Sequence, residues 1–126
     1  MKARQVLIGA LLSAMSLTAF AQVIHFDART YEDLRRKGEP FIVHTDAGWC
    51  PICRKQKDLL STIEQEPRFK RLPVLVVDVD ADKDIMKTLD LSKRSLFVAY
   101  RGQVELGRSL ADTDKDSIEA LFAKAL

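Results

Sequence analysis

The chain has 126 residues, 30% of them charged and 47% hydrophobic, with a formal net charge of +2. Lys2 and Arg4 account for that excess, so the rest of the chain balances its cations against its 18 Asp and Glu and offers no basic footprint for nucleic acid. The length past the N-terminal segment suits one compact domain, and two cysteines are too few for a disulfide framework.

Met1-Lys2-Ala3-Arg4 is a short positive region, residues 6–17 are apolar, and Ala19-Phe20-Ala21 is a small-x-small cleavage signal before Gln22. Residues 1–21 therefore read as a secretory signal peptide cleaved after Ala21, and residues 22–126 as the domain. A membrane anchor is the competing reading, but a span needs about 20 apolar residues and this run is shorter. Residues 23–26 make a short strand candidate. Ala28, Tyr31 and Leu34 then recur at helical spacing before Gly38 and Pro40, which are stop signals. Residues 41–45 are a second strand, and a helix runs from Pro51 to before Pro67. Residues 73–79 are a near-continuous apolar run, the mark of a strand covered on both faces. Ile85, Met86 and Leu89 suggest a short helix, and residues 95–100 and 104–106 flank Arg101-Gly102-Gln103 as a hairpin. Thr113 with Asp116 makes a capping-box pattern, beyond which Ile118, Leu121, Phe122 and Ala125 line one face of a terminal helix. The order is β-α-β-α-β-α-β-β-α. It implies a central sheet with helices on both faces and parallel pairing wherever a helix crosses over.

Cys50 and Cys53 fall where the second strand hands over to the second helix. Unpaired N–H groups and the positive end of the helix dipole stabilise a thiolate there. A helix N-terminus can lower a cysteine pKa from about 8.5 to between roughly 3.5 and 7.5. Pro51 fits the first helical position, where its missing N–H costs nothing. A bridge across two residues closes almost no chain, so a purely structural disulfide would stabilise little. The pair suits thiol–disulfide exchange.

This order, with Trp-Cys-x-x-Cys at the strand–helix junction, resembles the thioredoxin family over residues 22–126. Ala47-Gly48-Trp49-Cys50-Pro51-Ile52-Cys53 stands where that family has Ala-x-Trp-Cys-x-x-Cys. The resemblance implies a three-layer α/β sandwich, a mixed sheet of about five strands flanked by about four helices. It also implies a monomer that exchanges thiols with protein disulfides in the periplasm, needing no cofactor beyond the redox-active Cys50–Cys53 disulfide. Cys50 would be the exposed nucleophile, Cys53 the more buried resolving thiol, and Trp49 an aromatic wall beside them or a core residue. His44 stands where the family keeps a buried acid that takes the resolving thiol's proton. Histidine can do that work near neutrality, or it can simply be a satisfied core residue. Ser95 stands where the family has a cis-proline at the substrate groove. A non-proline cis bond costs about 3–4 kcal/mol, so Arg94–Ser95 is expected to be trans, with a free N–H or hydroxyl near Cys50.

Pro51-Ile52 supplies no positive charge near Cys50, which points to a reductant or isomerase kept reduced by an inner-membrane electron donor. Other uses of the pair compete less well. Zinc needs four ligands, and beyond Cys50, Cys53 and His44 the remaining histidine, His25, lies on another strand as a surface residue. An iron–sulfur cluster shared between two subunits, or a redox-inert binding module, are the alternatives left open. Covalent haem would need histidine where Arg54 stands. Asp78-x-Asp80-x-Asp82 opens like a calcium loop, but Lys83 and Leu89 occupy its glycine and glutamate positions, so a strand exit and helix cap is the better reading. Arg35-Arg36-Lys37 suits a solvated helix end.

Overall fold

The computed structural model describes residues 23–126 and, upstream of them, Gly9. The segment read as a signal peptide, with its cleavage site, otherwise lies outside the described residues. Five strands form one sheet: β1 (Val23–His25), β2 (Pro40–Asp46), β3 (Val74–Asp78), β4 (Leu96–Arg101) and β5 (Val104–Leu110). Their spatial order is β1-β3-β2-β4-β5. β3 pairs in parallel with β1 and β2, each reached through a helical crossover, while β4 is antiparallel to β2 and to β5. The helices are α1 (Ala28–Arg36), α2 (Pro51–Ile63), α3 (Lys83–Thr88) and α4 (Lys115–Ala123), and a single 3-10 turn covers Pro67–Phe69.

Alternation along β2 and β4 builds the two halves of the core. Phe41 and Val43 with Leu96, Val98 and Tyr100 face Tyr31 and Leu34 of α1 and Ile85 and Met86 of α3. Ile42 with Phe97 and Ala99 faces Leu60 and Ile63 of α2 and Ile118, Leu121 and Phe122 of α4. A small third cluster joins Ala47, Cys50 and Cys53, with Val79 packed against it. The expected mixed sheet of five strands between four helices is therefore present.

Boundaries differ from the sequence pattern in places that have local causes. Pro40 does more than stop α1: it opens β2, where a strand tolerates a missing N–H at its first residue. β5 continues to Leu110, beyond the alternating pattern, because it pairs along the whole of β4 as far as Leu96, with a register shift opposite Ala99/Tyr100. Gly107 interrupts its pattern, and a Cβ there would lie 3.1 Å from Leu121 Cδ1, so the gap lets α4 approach. α4 is capped by Asp114 instead of Thr113, its side chain accepting from Ser117 N at 2.9 Å. Asp82 holds the N-cap position of α3 but makes no cap bond; its Oδ2 accepts from Asp78 N at 2.9 Å. The hairpin turn needs Gly102, which has φ +58 and whose added Cβ would lie 2.9 Å from Gly38 Cα.

Candidate active site

Three segments meet at the C-terminal end of β2: the 47–53 loop and helix start, the 93–95 turn before β4, and the end of β5. Cys50 is extended and caps α2, its Sγ accepting from Cys53 N at 3.2 Å. Pro51 begins the helix at a position that requires no donor. This capping bond turns the sulfur inward, over the helix N-terminus. Cys50 is consequently only 1% exposed, so the expectation of an exposed nucleophile beside a buried partner does not hold in this conformation; both thiols are buried and free.

Ser95 joins them. The Cys50 and Cys53 sulfurs lie 3.3 and 3.1 Å from its Oγ. No cis peptide bond occurs among the described residues, so Arg94–Ser95 is trans, and Ser95 adopts φ +64. A left-handed non-glycine residue costs of order 1–3 kcal/mol and persists only where its surroundings over-determine it. Here Thr45 and Gln56 do so. Ser95 N donates to Thr45 O at 2.9 Å, so of the N–H or hydroxyl expected near Cys50 it is the hydroxyl that faces the sulfur. Thr45 Oγ1 donates to Lys93 O and accepts from Leu96 N, each at 2.8 Å. Ser95 O accepts from Gln56 Nε2 at 3.1 Å and from Ala111 N at 2.8 Å.

Gln56 is fully buried and also donates to Asp112 O at 2.9 Å. With both amide hydrogens committed to carbonyls, its Oε1 must accept, and His44 Nε2 lies 2.9 Å away. His44 thus carries its proton on Nε2, stacks on Phe97 at 4.4 Å between ring centroids, and leaves Nδ1 without a partner. Burial holds its pKa below the usual 6.5, against the Gln56 bond and Asp46, so the ring is neutral at physiological pH. It joins the site through Gln56.

Trp49 is 58% exposed, which removes the core-packing option. Its Nε1 donates to Asp80 Oδ2 at 3.0 Å, and the Arg94 guanidinium lies 4.7 Å over its ring. Asp80 belongs to the Asp-rich turn, whose Asp78 Oδ1 accepts from the N–H groups of Asp80 and Ala81. The carboxylates of that turn are taken up by its own N–H groups, by Trp49 and by His25, and among the described residues no group of three or more His, Cys, Asp and Glu is arranged to hold a metal ion.

Electrostatics separate the thiols. Burial by itself would raise the Cys50 pKa, but hydrogen bonds from the Cys53 thiol, the Ser95 hydroxyl, the Cys53 amide and the Arg94 side chain bring it down to about 6. Burial pushes the Cys53 thiol up, and its bond to Cys50 pushes it further. The premise that no positive charge stands near Cys50 is therefore corrected: Arg94 supplies one from the 93–95 turn, 44 positions away in a segment that local spacing does not connect to the cysteines. Sequence reasoning also missed Gln56 and Thr45. A polar residue on the inner face of α2, three positions after Cys53, is the one signal that could have found Gln56.

No family model matches the chain. Thioredoxin H2-1 of Oryza sativa subsp. japonica is 31% identical over 78 residues, covering 62% of this chain and 54% of that protein. The chain thus spans about half the length of the curated relative it matches. Among solved structures, Trxlp from Edwardsiella tarda EIB202 superposes with a TM-score of 0.74 at 26% identity, covering 79% of this chain and 97% of that one. Thioredoxin NaTrxh from Nicotiana alata gives 0.71 at 17% identity, covering 82% and 92%. The fold is thioredoxin-like.

Proposed function

We propose that the domain catalyses thiol–disulfide exchange on protein disulfides. The Cys50 thiolate attacks a client disulfide, and a mixed disulfide forms as the first client sulfur leaves. Cys53 then attacks Cys50 Sγ and releases the second, leaving Cys50–Cys53 oxidised and the client reduced. The observation that carries this reading is the placement of two free thiols at the start of α2, Cys50 Sγ accepting from Cys53 N and both sulfurs within 3.3 Å of Ser95 Oγ, an arrangement that lowers the first thiol and raises the second. The thioredoxin-like fold supports it. A redox-inert or cluster-binding role has no comparable observation behind it.

The domain acts in the periplasm, a location supported by the signal-peptide pattern of residues 1–21, as a monomer recharged by an inner-membrane electron donor. It works as a reductant or isomerase. With Arg94 beside Cys50, that direction rests on degree: about 6 lies closer to the value of about 7 found in thioredoxin than to about 3.5 in a strong oxidase.

Insulin reduction with dithiothreitol tests the activity, and wild-type protein that leaves insulin intact overturns it. Iodoacetamide should modify Cys50 with a midpoint near 6, and Cys53→Ser should trap mixed disulfides that Cys50→Ser does not. Equilibration with glutathione tests direction. A pair that stays oxidised in a large excess of reduced glutathione supports the reductant; one reduced by traces of it indicates an oxidase.

A further inference from the structure

We propose that the Ser95 hydroxyl is the proton relay of the resolving step, taking the proton of Cys53 and passing its own to the client sulfur that leaves Cys50, an inference that rests on the exchange chemistry proposed above. Cys53 must lose a proton before it can attack, and burial raises the cost of its anion. Once Cys50 Sγ is bonded to the client, the oxygen acceptors within reach of Cys53 Sγ are Ser95 Oγ at 3.1 Å and, at a weaker 3.9 Å, Thr45 O. Thr45 O also receives Ser95 N–H and, as an amide oxygen, has no proton to pass on. His44 does not serve through Nε2, whose hydrogen is given to Gln56 Oε1.

A hydroxyl can accept one hydrogen bond while donating another, which neither proline nor alanine can do with its side chain. Ser95 Oγ lies within hydrogen-bond reach of both sulfurs. In the reduced pair it donates to the Cys50 thiolate, to which the Cys53 thiol also donates. In the mixed disulfide, Cys53 S–H gives its proton to Oγ as Cys53 Sγ attacks Cys50 Sγ. The Cys50–client S–S bond breaks, and the client sulfur departs with the bonding pair. It receives the former Ser95 hydroxyl proton and leaves as a thiol. The Cys50–Cys53 bond forms, the pair loses two electrons, the client gains two, and serine is regenerated.

The backbone at this position does not favour serine, so the side chain supplies what the conformation does not. At φ +64 glycine would be the unstrained residue, yet serine occupies the position, held by Thr45, Gln56 and Ala111.

Ser95→Gly deletes the hydroxyl and suits the backbone; Ser95→Ala deletes it with Cβ kept. Single-turnover mixing of reduced protein with an alkyl peptide disulfide separates mixed-disulfide formation from resolution. A Cys53→Ser background isolates the first attack, compared at alkaline pH where Cys50 is a thiolate in every variant. Resolution in both Ser95 variants should slow at neutral pH by about 100-fold or more and recover as pH rises and hydroxide takes over the proton. With an aromatic disulfide, whose leaving thiol needs no proton, the defect should shrink. Resolution at the wild-type rate in either variant, or the same slowing for both disulfides, overturns the relay alone. Wild-type protein that forms no mixed disulfide overturns the exchange reading and the relay with it.

Discussion

The two faces of the sheet bury side chains by the same alternation but use them differently. Against α1 and α3 the packing is aromatic and aliphatic: Phe41 stacks on Tyr100 with centroids 5.0 Å apart, and Tyr31 meets Phe41 edge-on at 5.8 Å. Against α2 and α4 the ring stacked on Phe97 is His44, and the helix contributes Gln56 to the same interior. Those two residues lead by hydrogen bonds to Ser95 and so to both sulfurs. One face is stabilised by volume and area; the other also carries the connections that set the site. A substitution on the first should therefore cost stability and spare the thiols, while one on the second should move the thiols as well.

The largest stability loss is expected from Phe41→Ala, about 3–5 kcal/mol by urea unfolding, with the Cys50 titration followed at 240 nm unchanged. A shifted titration would break the separation between the faces. Gln56→Leu should cost less, about 1–3 kcal/mol, by leaving His44 Nε2–H and Asp112 O without their partner. It should also raise the Cys50 pKa, since Ser95 loses the bond that holds its carbonyl. A stability loss with no change in titration would reduce Gln56 to a packing residue.

His44 sharpens the comparison through pH. Burial depresses its folded pKa below 6.5, with Asp46 opposing that effect and Lys57 adding to it. Below pH 6.5 the unfolded chain therefore binds a proton that the folded one refuses. His44's share of stability is full above that pH and lost as pH falls towards the folded value. Urea midpoints at pH 7.5 and 5.5 should differ in that direction, and His44→Phe should flatten the difference. The smallest stability effect belongs to Arg94→Ala, within about 0.5 kcal/mol for an exposed side chain. Its signature is a raised Cys50 pKa and altered Trp49 fluorescence; an unchanged Cys50 titration would show that Arg94 does not help to stabilise the thiolate.

Local pattern alone determined the element order, the placement of Cys50 at the start of α2 and Pro51 as its first residue. Strand alternation, helical spacing and caps depend on neighbours two to four positions apart. Even there the limits were local competitions, such as Asp114 outcompeting Thr113 for the cap, since a carboxylate is the better N-cap acceptor. Tertiary structure decided the rest: the burial of Cys50, the exposure of Trp49, the left-handed Ser95, and the assembly of Thr45, Gln56 and Arg94 around the sulfurs. Ser95 reaches Cys50 across 45 positions and Gln56 across 39. Contacts that distant exist only once β4 has paired antiparallel to β2, and that pairing leaves no periodic trace in the residues it brings together.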